Sequence, residues 1–117
     1  MPNRPFQRVQ DIKRSIGQIR ALLREKTRDD VNTDVIVRAA FERFLEILSE
    51  ASRHVPAEWK RAHGPDIPWQ DVGNLGNILR HVYHRTDVGA LWSVYEVDLD
   101  PLEKAIDAML SAHEAGD

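Results

Sequence analysis

The sequence has no cysteine, no long apolar run and little net charge, and each absence narrows the kinds of protein it can encode. Among 117 residues there is no cysteine, so no disulfide framework is predicted, and a reducing compartment is compatible with this composition. No apolar run approaches the roughly 20 residues of a membrane-spanning helix, and the first ten residues lack the apolar block of a secretory signal. We therefore expect a cytoplasmic protein without a membrane segment.

Neither sign of charge dominates the composition. Lys and Arg number 16 against 19 Asp and Glu, which gives a net charge of −3. This balance argues against a generally basic nucleic-acid coat protein, although a local basic patch can still bind phosphate. With 42% hydrophobic residues, the chain has enough apolar surface for a core without a metal. Residues 1–117 are predicted to form one domain, since single cores commonly occupy about 100 to 150 residues.

Apolar residues in the first half of the chain recur at steps of three or four, which is the pattern of an amphipathic helix. The first predicted helix runs from Pro5 to Lys26 and the second from Thr33 to His54. The segment between them gathers polar turn and cap formers. The residues expected to face the core are Val9, Ile12, Ile16, Ile19, Leu23, Val37, Phe41, Phe44, Leu48 and Ala51.

The second half of the chain continues the helical pattern after a connector between Val55 and Pro68, which contains three prolines and in which AEWKRAH is expected to form a single turn. Pro68 suits the first turn of a third helix, which is predicted to end near Arg85. A fourth pattern begins at a cap on Thr86 or Asp87 and is expected to kink or break at Pro101. No alternation of period two is long enough to predict a sheet. The sequence thus predicts an all-α, mostly antiparallel bundle of four to five helices.

The third predicted helix carries an unusual density of polar and basic residues in the string GNLGNILRHVYHRTD. Asn77, His81 and His84 lie at i, i+4 and i+7 and therefore share one face. Gly76 and Arg80 lie on the adjoining stripe. A glycine inside a helix costs about 1 kcal/mol relative to alanine, so its presence indicates close approach of a backbone, a substrate or a neighbouring side chain.

A histidine beside guanidinium groups is suited to cleaving RNA. Histidine exchanges protons near neutral pH, and arginine binds phosphate oxygens without losing its charge. Metal-independent cleavage needs a base for the 2′-hydroxyl, an acid for the leaving 5′-oxygen and a cation for the charged phosphorane. The alternative interpretation is an exposed helix face whose charges are solvated or paired. The spacing of these residues alone does not decide between an RNA-cleaving site and an exposed helix face.

Metal and nucleotide sites are weaker interpretations of the same segment. His81, His84 and Asp87 could supply zinc ligands, but the chain has no cysteine, no HExxH pair and no second ligand pair of recognisable spacing. The string GNLGN lacks the Lys-Ser/Thr ending of a phosphate loop. Neither a metal nor another cofactor is predicted.

Two carboxylates on the second predicted helix are further candidates. Glu46 and Glu50 lie one turn apart, and Arg43 lies one turn before Glu46, so local ion pairing is the default interpretation. The alternative is that both carboxylates face the third helix and orient His81 or Arg80. The tryptophans are expected to be packing residues, and they are Trp59, Trp69 and Trp92.

The chain resembles the HepT-like family of the HEPN superfamily, small helical proteins that are paired with minimal nucleotidyltransferases in toxin–antitoxin systems. The resemblance covers nearly the whole chain and rests on three strings, FERFLEILSEASRHVP, IPWQDVGNLGNILRHVYHRTD and LWSVYEVDLDPL. Each string lies where periodicity predicts a helix. The resemblance implies a HEPN-like bundle and a C2 homodimer in which the two copies of the third helix face each other across a cleft.

The family motif is an arginine, a polar residue, three further residues, a histidine, any residue and a tyrosine. The corresponding string here is GNILRHVY. By resemblance, Asn77 is the polar residue, His81 the catalytic histidine of a metal-independent endoribonuclease toxin, and Tyr83 the tyrosine that the nucleotidyltransferase antitoxin adenylylates. Gly76 stands where the family has its arginine.

A glycine can neither attract a phosphate by charge nor donate from a side chain. One hypothesis is that Arg80, one turn later, leans back over Gly76 and replaces the missing arginine. The residues that could support such a site are Gly76, His84, Glu46 and Glu50. The alternative hypothesis is a catalytically inactive subunit that binds the nucleotidyltransferase or a nucleotide. A structural dimer without a ligand would instead require a buried, internally paired polar face on the third helix.

Overall fold

A computed structural model describes residues 4–81 and 87–114, and this part of the chain consists of helices without a strand. The helices are α1 (Arg4–Leu23), α2 (Arg28–Thr33), α3 (Val35–Ser52), α4 (Ala57–His63), α5 (Trp69–His81), α6 (Val88–Ser93) and α7 (Leu99–His113). A π turn, Val94–Asp98, joins α6 to α7. The prediction of an all-α bundle is confirmed. No helix in the described residues is long and apolar enough to cross a membrane.

The polar segment between the first two predicted helices folds into the short helix α2. The Thr27 hydroxyl accepts a hydrogen bond from the Asp30 N–H at 3.1 Å, and the Asp30 carboxylate accepts one from the Thr27 N–H at 2.8 Å. This capping box begins α2. Asp34 then accepts hydrogen bonds from two N–H groups in the first turn of α3. The cap residues explain why α1 ends at Leu23 rather than at Lys26 and why α3 begins after Asp34.

The predicted apolar stripes form the core. The α1 stripe from Val9 to Leu23 is completely buried, and the α3 stripe is buried except for Phe44, which is half-buried. Helix α1 packs against α3 and α7, and α3 packs against α5. Other buried residues in this core include Leu45, Leu79, Leu91, Leu99, Leu102, Ile106 and Met109. Burying this apolar surface is the main favourable contribution to folding.

Ion pairs connect α1 to α7, and the two helices run antiparallel. Lys13 lies 2.9 Å from Glu103 and 2.8 Å from Asp107, while Arg20 lies 2.7 Å from Asp100 and 3.1 Å from Glu103. The hydrogen bond to Asp107 is the largest influence that raises the pKa of Lys13, followed by the bond to Glu103. Because later residues of α1 pair with earlier residues of α7, these contacts select one direction and register.

Of the kink or break expected at Pro101, the break is wrong, because the helical run continues from Val88 to His113. The Leu99 N–H bonds to the Val94 carbonyl, five residues earlier, which defines the wider π turn. Pro101 lies in the first turn of α7 and removes one main-chain donor. The π turn changes the hydrogen-bond register directly before this proline without ending the helix.

The proline-containing connector holds a helix, α4, of about two turns instead of the predicted single turn. Trp59 stacks on His113 of α7 with ring centroids 3.7 Å apart, and the Trp69 indole N–H donates to the Gly64 carbonyl at 2.8 Å. Trp92 packs beside Tyr95. The tryptophans are partly buried against the core, which confirms their predicted packing role.

Candidate active site

The two glycines of α5 face Ser49 of α3. The Ser49 hydroxyl donates to the Gly73 carbonyl at 3.0 Å and accepts from the Gly76 N–H at 2.9 Å. A Cβ atom on Gly76 would lie 3.2 Å from the Ser49 Oγ, and one on Gly73 would lie 3.1 Å from the Arg53 Cγ. Of the three explanations that the sequence left open for these glycines, the structure shows a neighbouring side chain.

The Arg80 side chain leans back over Gly76. Its Nη1 lies 3.4 Å from the position that a Cβ of Gly76 would occupy. A helical side chain points toward the helix N-terminus, and the glycine leaves space for the guanidinium one turn earlier. This position agrees with the hypothesis that Arg80 covers the site of the missing motif arginine. None of the ion pairs between described residues includes Arg80.

Arg80 borders a cleft of about 210 Å³ between α1, α3 and α5. Residues of α1, α3 and α5 line the cleft, so it combines residues that are far apart in the sequence. The lining residues are Arg8, Asp11, Arg43, Glu46, Ile47, Glu50, Ala51 and Arg80. We refer to this space as the arginine cleft. It places the two predicted carboxylates on the same surface as Arg80.

Each carboxylate of the arginine cleft pairs with a basic residue three or four positions away in the sequence. Glu46 pairs with Arg43, which confirms the default prediction for that residue, whereas Glu50 pairs with a histidine one turn later. The pairs and distances are Arg14–Asp11 at 3.0 Å, Arg43–Glu46 at 3.5 Å and His54–Glu50 at 2.9 Å. The hydrogen bond with His54 is the largest influence on Glu50 and lowers the pKa of its carboxyl, and the charges of Arg53 and Arg8 act in the same direction.

The remaining candidates fall near the end of α5. Asn77 is exposed, and His81 is the last residue of α5, directly after Arg80. Tyr83 and His84 lie outside the described residues. Asn77 and Arg80 are both exposed, so this part of the polar face is not the buried, internally paired surface that a purely structural dimer would require.

Sequence reasoning missed three residues of this region, Arg8, Asp11 and Ser49. Arg8 and Asp11 lie at i and i+3 beside the buried stripe of α1, a spacing that indicates only a local ion pair and not a shared cleft. Ser49 is buried on the apolar side of α3, as is Ser52. A pair of small residues at i and i+3 on α3 matches the glycine pair at i and i+3 on α5. That complementarity indicates close helix packing only when the two helices are known to be neighbours.

Within residues 4–81 and 87–114, no group of three His, Cys, Asp or Glu side chains is arranged to hold a metal ion. The zinc set considered from the sequence includes His84, which lies outside that part of the chain. The described part of the site is a surface of guanidinium and amide groups, which is suited to binding phosphate.

Comparison with known proteins identifies the family. The family described as "Ribonuclease HepT-like" matches residues 12–109, from α1 to α7. The chain is 35% identical over 95 residues to "Probable ribonuclease HepT" of Thermococcus cleftensis, and the match covers 81% of this chain and 86% of that protein. This chain therefore belongs to the HepT-like family, as its motifs indicated.

Two proteins of Methanocaldococcus jannaschii are also similar. The chain is 28% identical to "Putative RNase MJ1380" over 97 residues, covering 83% of this chain and 88% of that protein. It is 32% identical over 95 residues to "Gamma-glutamylcyclotransferase and putative RNase MJ0434", covering 81% of this chain but 42% of the longer relative. No solved structure matches at a significant level. The names of the relatives support an RNase-like function for the family.

Proposed function

We propose that this protein is a metal-independent endoribonuclease in which Arg80 supplies the cation that Gly76 cannot. The position of the Arg80 guanidinium carries this proposal, because its Nη1 lies 3.4 Å from where a Cβ of Gly76 would be. Arg80 is exposed and forms no ion pair with another described residue. It directly precedes His81, the motif histidine to which the proposal assigns proton transfer.

In this proposal the ribose 2′-oxygen attacks the adjacent phosphorus and the bond from phosphorus to the 5′-oxygen breaks. His81 takes the proton from the 2′-hydroxyl or gives one to the departing 5′-oxygen. Arg80 stabilises the charge that develops on the phosphorane oxygens, and Asn77 orients the phosphate by hydrogen bonding. The products are a 2′,3′-cyclic phosphate and a 5′-hydroxyl, so neither water nor a metal ion takes part in this step.

The proposal includes a C2 homodimer in which the two α5 helices face each other, so that one His81 acts as base and its copy as acid. Ile78 on α5 supports an interface there, because this large apolar side chain is 47% exposed. Light scattering coupled to gel filtration tests the dimer. A mass of one chain at micromolar concentration would rule this arrangement out.

The proposal also includes control by a nucleotidyltransferase antitoxin that adenylylates Tyr83. Tyr83 is two residues after His81 in the sequence, so AMP on its hydroxyl would add a phosphodiester close to the catalytic histidine. That phosphodiester would compete with RNA for Arg80. Mass spectrometry of the protein coexpressed with its nucleotidyltransferase tests this step, and the expected result is one added AMP on the peptide that contains Tyr83.

Cleavage of a labelled RNA pool in EDTA tests the enzyme proposal. The wild type is expected to cleave, and His81→Ala to be inactive while keeping the wild-type circular dichroism spectrum. Arg80→Ala is expected to lose about 100-fold or more in rate, by analogy with removing one donor to a developing oxyanion. Arg24→Ala, an exposed arginine beyond α1, is the matched control. Unchanged cleavage by a folded Arg80→Ala variant would refute the role of Arg80.

The alternative function is a catalytically inactive subunit that binds the nucleotidyltransferase. Gly76 at the position of the motif arginine favours it, since the glycine itself has no side chain to bind phosphate. Folded wild-type protein that cleaves no RNA in EDTA and copurifies with a minimal nucleotidyltransferase would establish this alternative in place of the enzyme.

A further inference from the structure

The arginine cleft has a second guanidinium that forms no ion pair with any described residue, that of Arg8 on α1. Arg8 is half-buried and lines the same cleft as Arg80 from a different helix. No ion pair between residues of the described ranges includes Arg8 or Arg80. Two guanidinium groups that share a small cleft repel each other, and an anion bound between them removes that repulsion.

The carboxylates of the cleft fill that role only in part, since the charge of Arg8 acts on Glu50 but no carboxylate of the described residues forms an ion pair with Arg8. Asp11 and Glu46 pair with Arg14 and Arg43, and Glu50 forms a hydrogen bond with His54. Within residues 4–81 and 87–114, the arginine cleft therefore combines two arginines, neither of which forms an ion pair, with three acids that each have another partner. An arginine presents a planar fork of donors that matches the oxygens of a phosphate group.

We propose that Arg8 is a phosphate-binding residue and that Arg8 and Arg80 together bind one phosphodiester of RNA in the arginine cleft. This inference rests on the proposed function for the identity of the polymer. The guanidinium groups can bind the oxygens of a phosphodiester and of a terminal phosphate, so the test includes both RNA and a free nucleotide.

The sequence gives no indication of this role for Arg8, because α1 and α5 are far apart along the chain. Arg8 of α1 and Arg80 of α5 line the same cleft because α3 packs against both helices. Arg8 thus extends the site from the family motif on α5 to the first helix. Its contribution is to hold the substrate, so its loss is expected to weaken RNA binding and raise KM more than it lowers kcat.

The test measures RNA binding without cleavage, in a His81→Ala background. Fluorescence anisotropy of a labelled single-stranded RNA is compared for Arg8→Gln, Arg8→Lys and the control Arg24→Gln. Arg8→Gln is expected to weaken binding about tenfold, the loss of a charge-assisted contact. It is also expected to reduce the slope of log affinity against log salt concentration by about one. Arg8→Lys keeps the charge and is expected to retain most of the affinity, whereas Arg24→Gln should resemble its parent.

Equal affinity for Arg8→Gln and Arg24→Gln would overturn the inference, and so would the absence of any RNA binding. A third arm titrates AMP, which carries a terminal phosphate. AMP binding that depends on Arg8, together with RNA binding that does not, would assign the cleft to free nucleotides and also overturn it. The inference and the proposed function can fail separately. Wild-type protein that does not cleave RNA but binds it through Arg8 would refute the enzyme and support the role of Arg8.

Discussion

Ser49 on α3 and Gly76 on α5 form a hydrogen bond of 2.9 Å between the serine hydroxyl and the glycine N–H. The same hydroxyl donates to the Gly73 carbonyl, so one side chain connects two turns of the neighbouring helix. This contact requires the helices to approach closely, and a side chain at position 76 would crowd it. The close packing of α3 on α5 therefore disfavours the family's arginine at position 76.

Restoring the family motif with Gly76→Arg is expected to destabilise the protein by about 1 to 3 kcal/mol, the usual cost of overpacking. The new Cβ would lie 3.2 Å from the Ser49 Oγ and 3.4 Å from the Arg80 Nη1, so it competes with both groups. Urea denaturation measures the change in unfolding free energy. Wild-type stability in Gly76→Arg would show that α3 and α5 separate without cost.

Gly17→Ala provides a contrasting prediction for a helical glycine. Gly17 is exposed on α1, and nothing lies within 4 Å of the position of its Cβ. Alanine should therefore stabilise the protein by about 0.5 to 1 kcal/mol through its higher helix propensity. The same urea experiment applied to Gly76→Ala should show a smaller gain or a loss. Equal gains at both positions would contradict the crowding at Gly76.

Ser49→Ala is expected to cost about 1 to 3 kcal/mol, because it removes both hydrogen bonds in a buried environment. Thermal unfolding followed by circular dichroism gives the change in stability. Ser111→Ala, at an exposed position of α7, is the matched control and should have little effect. A Ser49→Ala variant as stable as this control would mean that the two hydrogen bonds contribute nothing.

Glu103→Gln tests the ion pairs between α1 and α7. Glu103 pairs with both Lys13 and Arg20, and its side chain is 25% exposed. The expected loss is about 1 kcal/mol or less, as for partly exposed ion pairs. Because salt screens charges, the loss should shrink at high ionic strength. Glu96→Gln, an exposed residue of the π turn, is the control, and an effect of Glu103→Gln that does not depend on salt would argue against an electrostatic contribution.

The Glu50–His54 pair predicts a pH dependence of stability. The hydrogen bond with His54 lowers the pKa of Glu50 below its ordinary 4.5. A carboxyl whose pKa is lower in the folded state stabilises the fold above the unfolded-state pKa, and this stabilisation is lost as pH falls through the folded-state value. The difference in stability between wild type and Glu50→Gln should therefore shrink below about pH 4.5. NMR titration of Glu50 should also show a higher pKa in His54→Ala, and an unchanged value would contradict the assigned cause.

Much of the fold could be predicted from the sequence because local rules govern it. Periodicity in α1 and α3 identified the buried stripes, and the Asp87 side chain caps α6 as predicted by accepting a hydrogen bond from the Gly89 N–H. The expected break at Pro101 was wrong. The helix propensity of a single residue does not reveal that a π turn before the proline can change the hydrogen-bond register and let the helix continue. The length of α4 was also missed, since its contacts with α7 are made by aromatic side chains distant in sequence.

The sequence by itself determined the helical class, the core stripes, the family and the motif with its glycine, since each depends on the order and spacing of nearby residues. Only the tertiary structure decided which residues meet. It brought Ser49 to Gly76, placed the Arg80 guanidinium over that glycine and made Arg8 and Arg80 line one cleft. The physical reason is that contacts between α1, α3 and α5 depend on helix packing and direction, which side-chain periodicity within one helix does not specify.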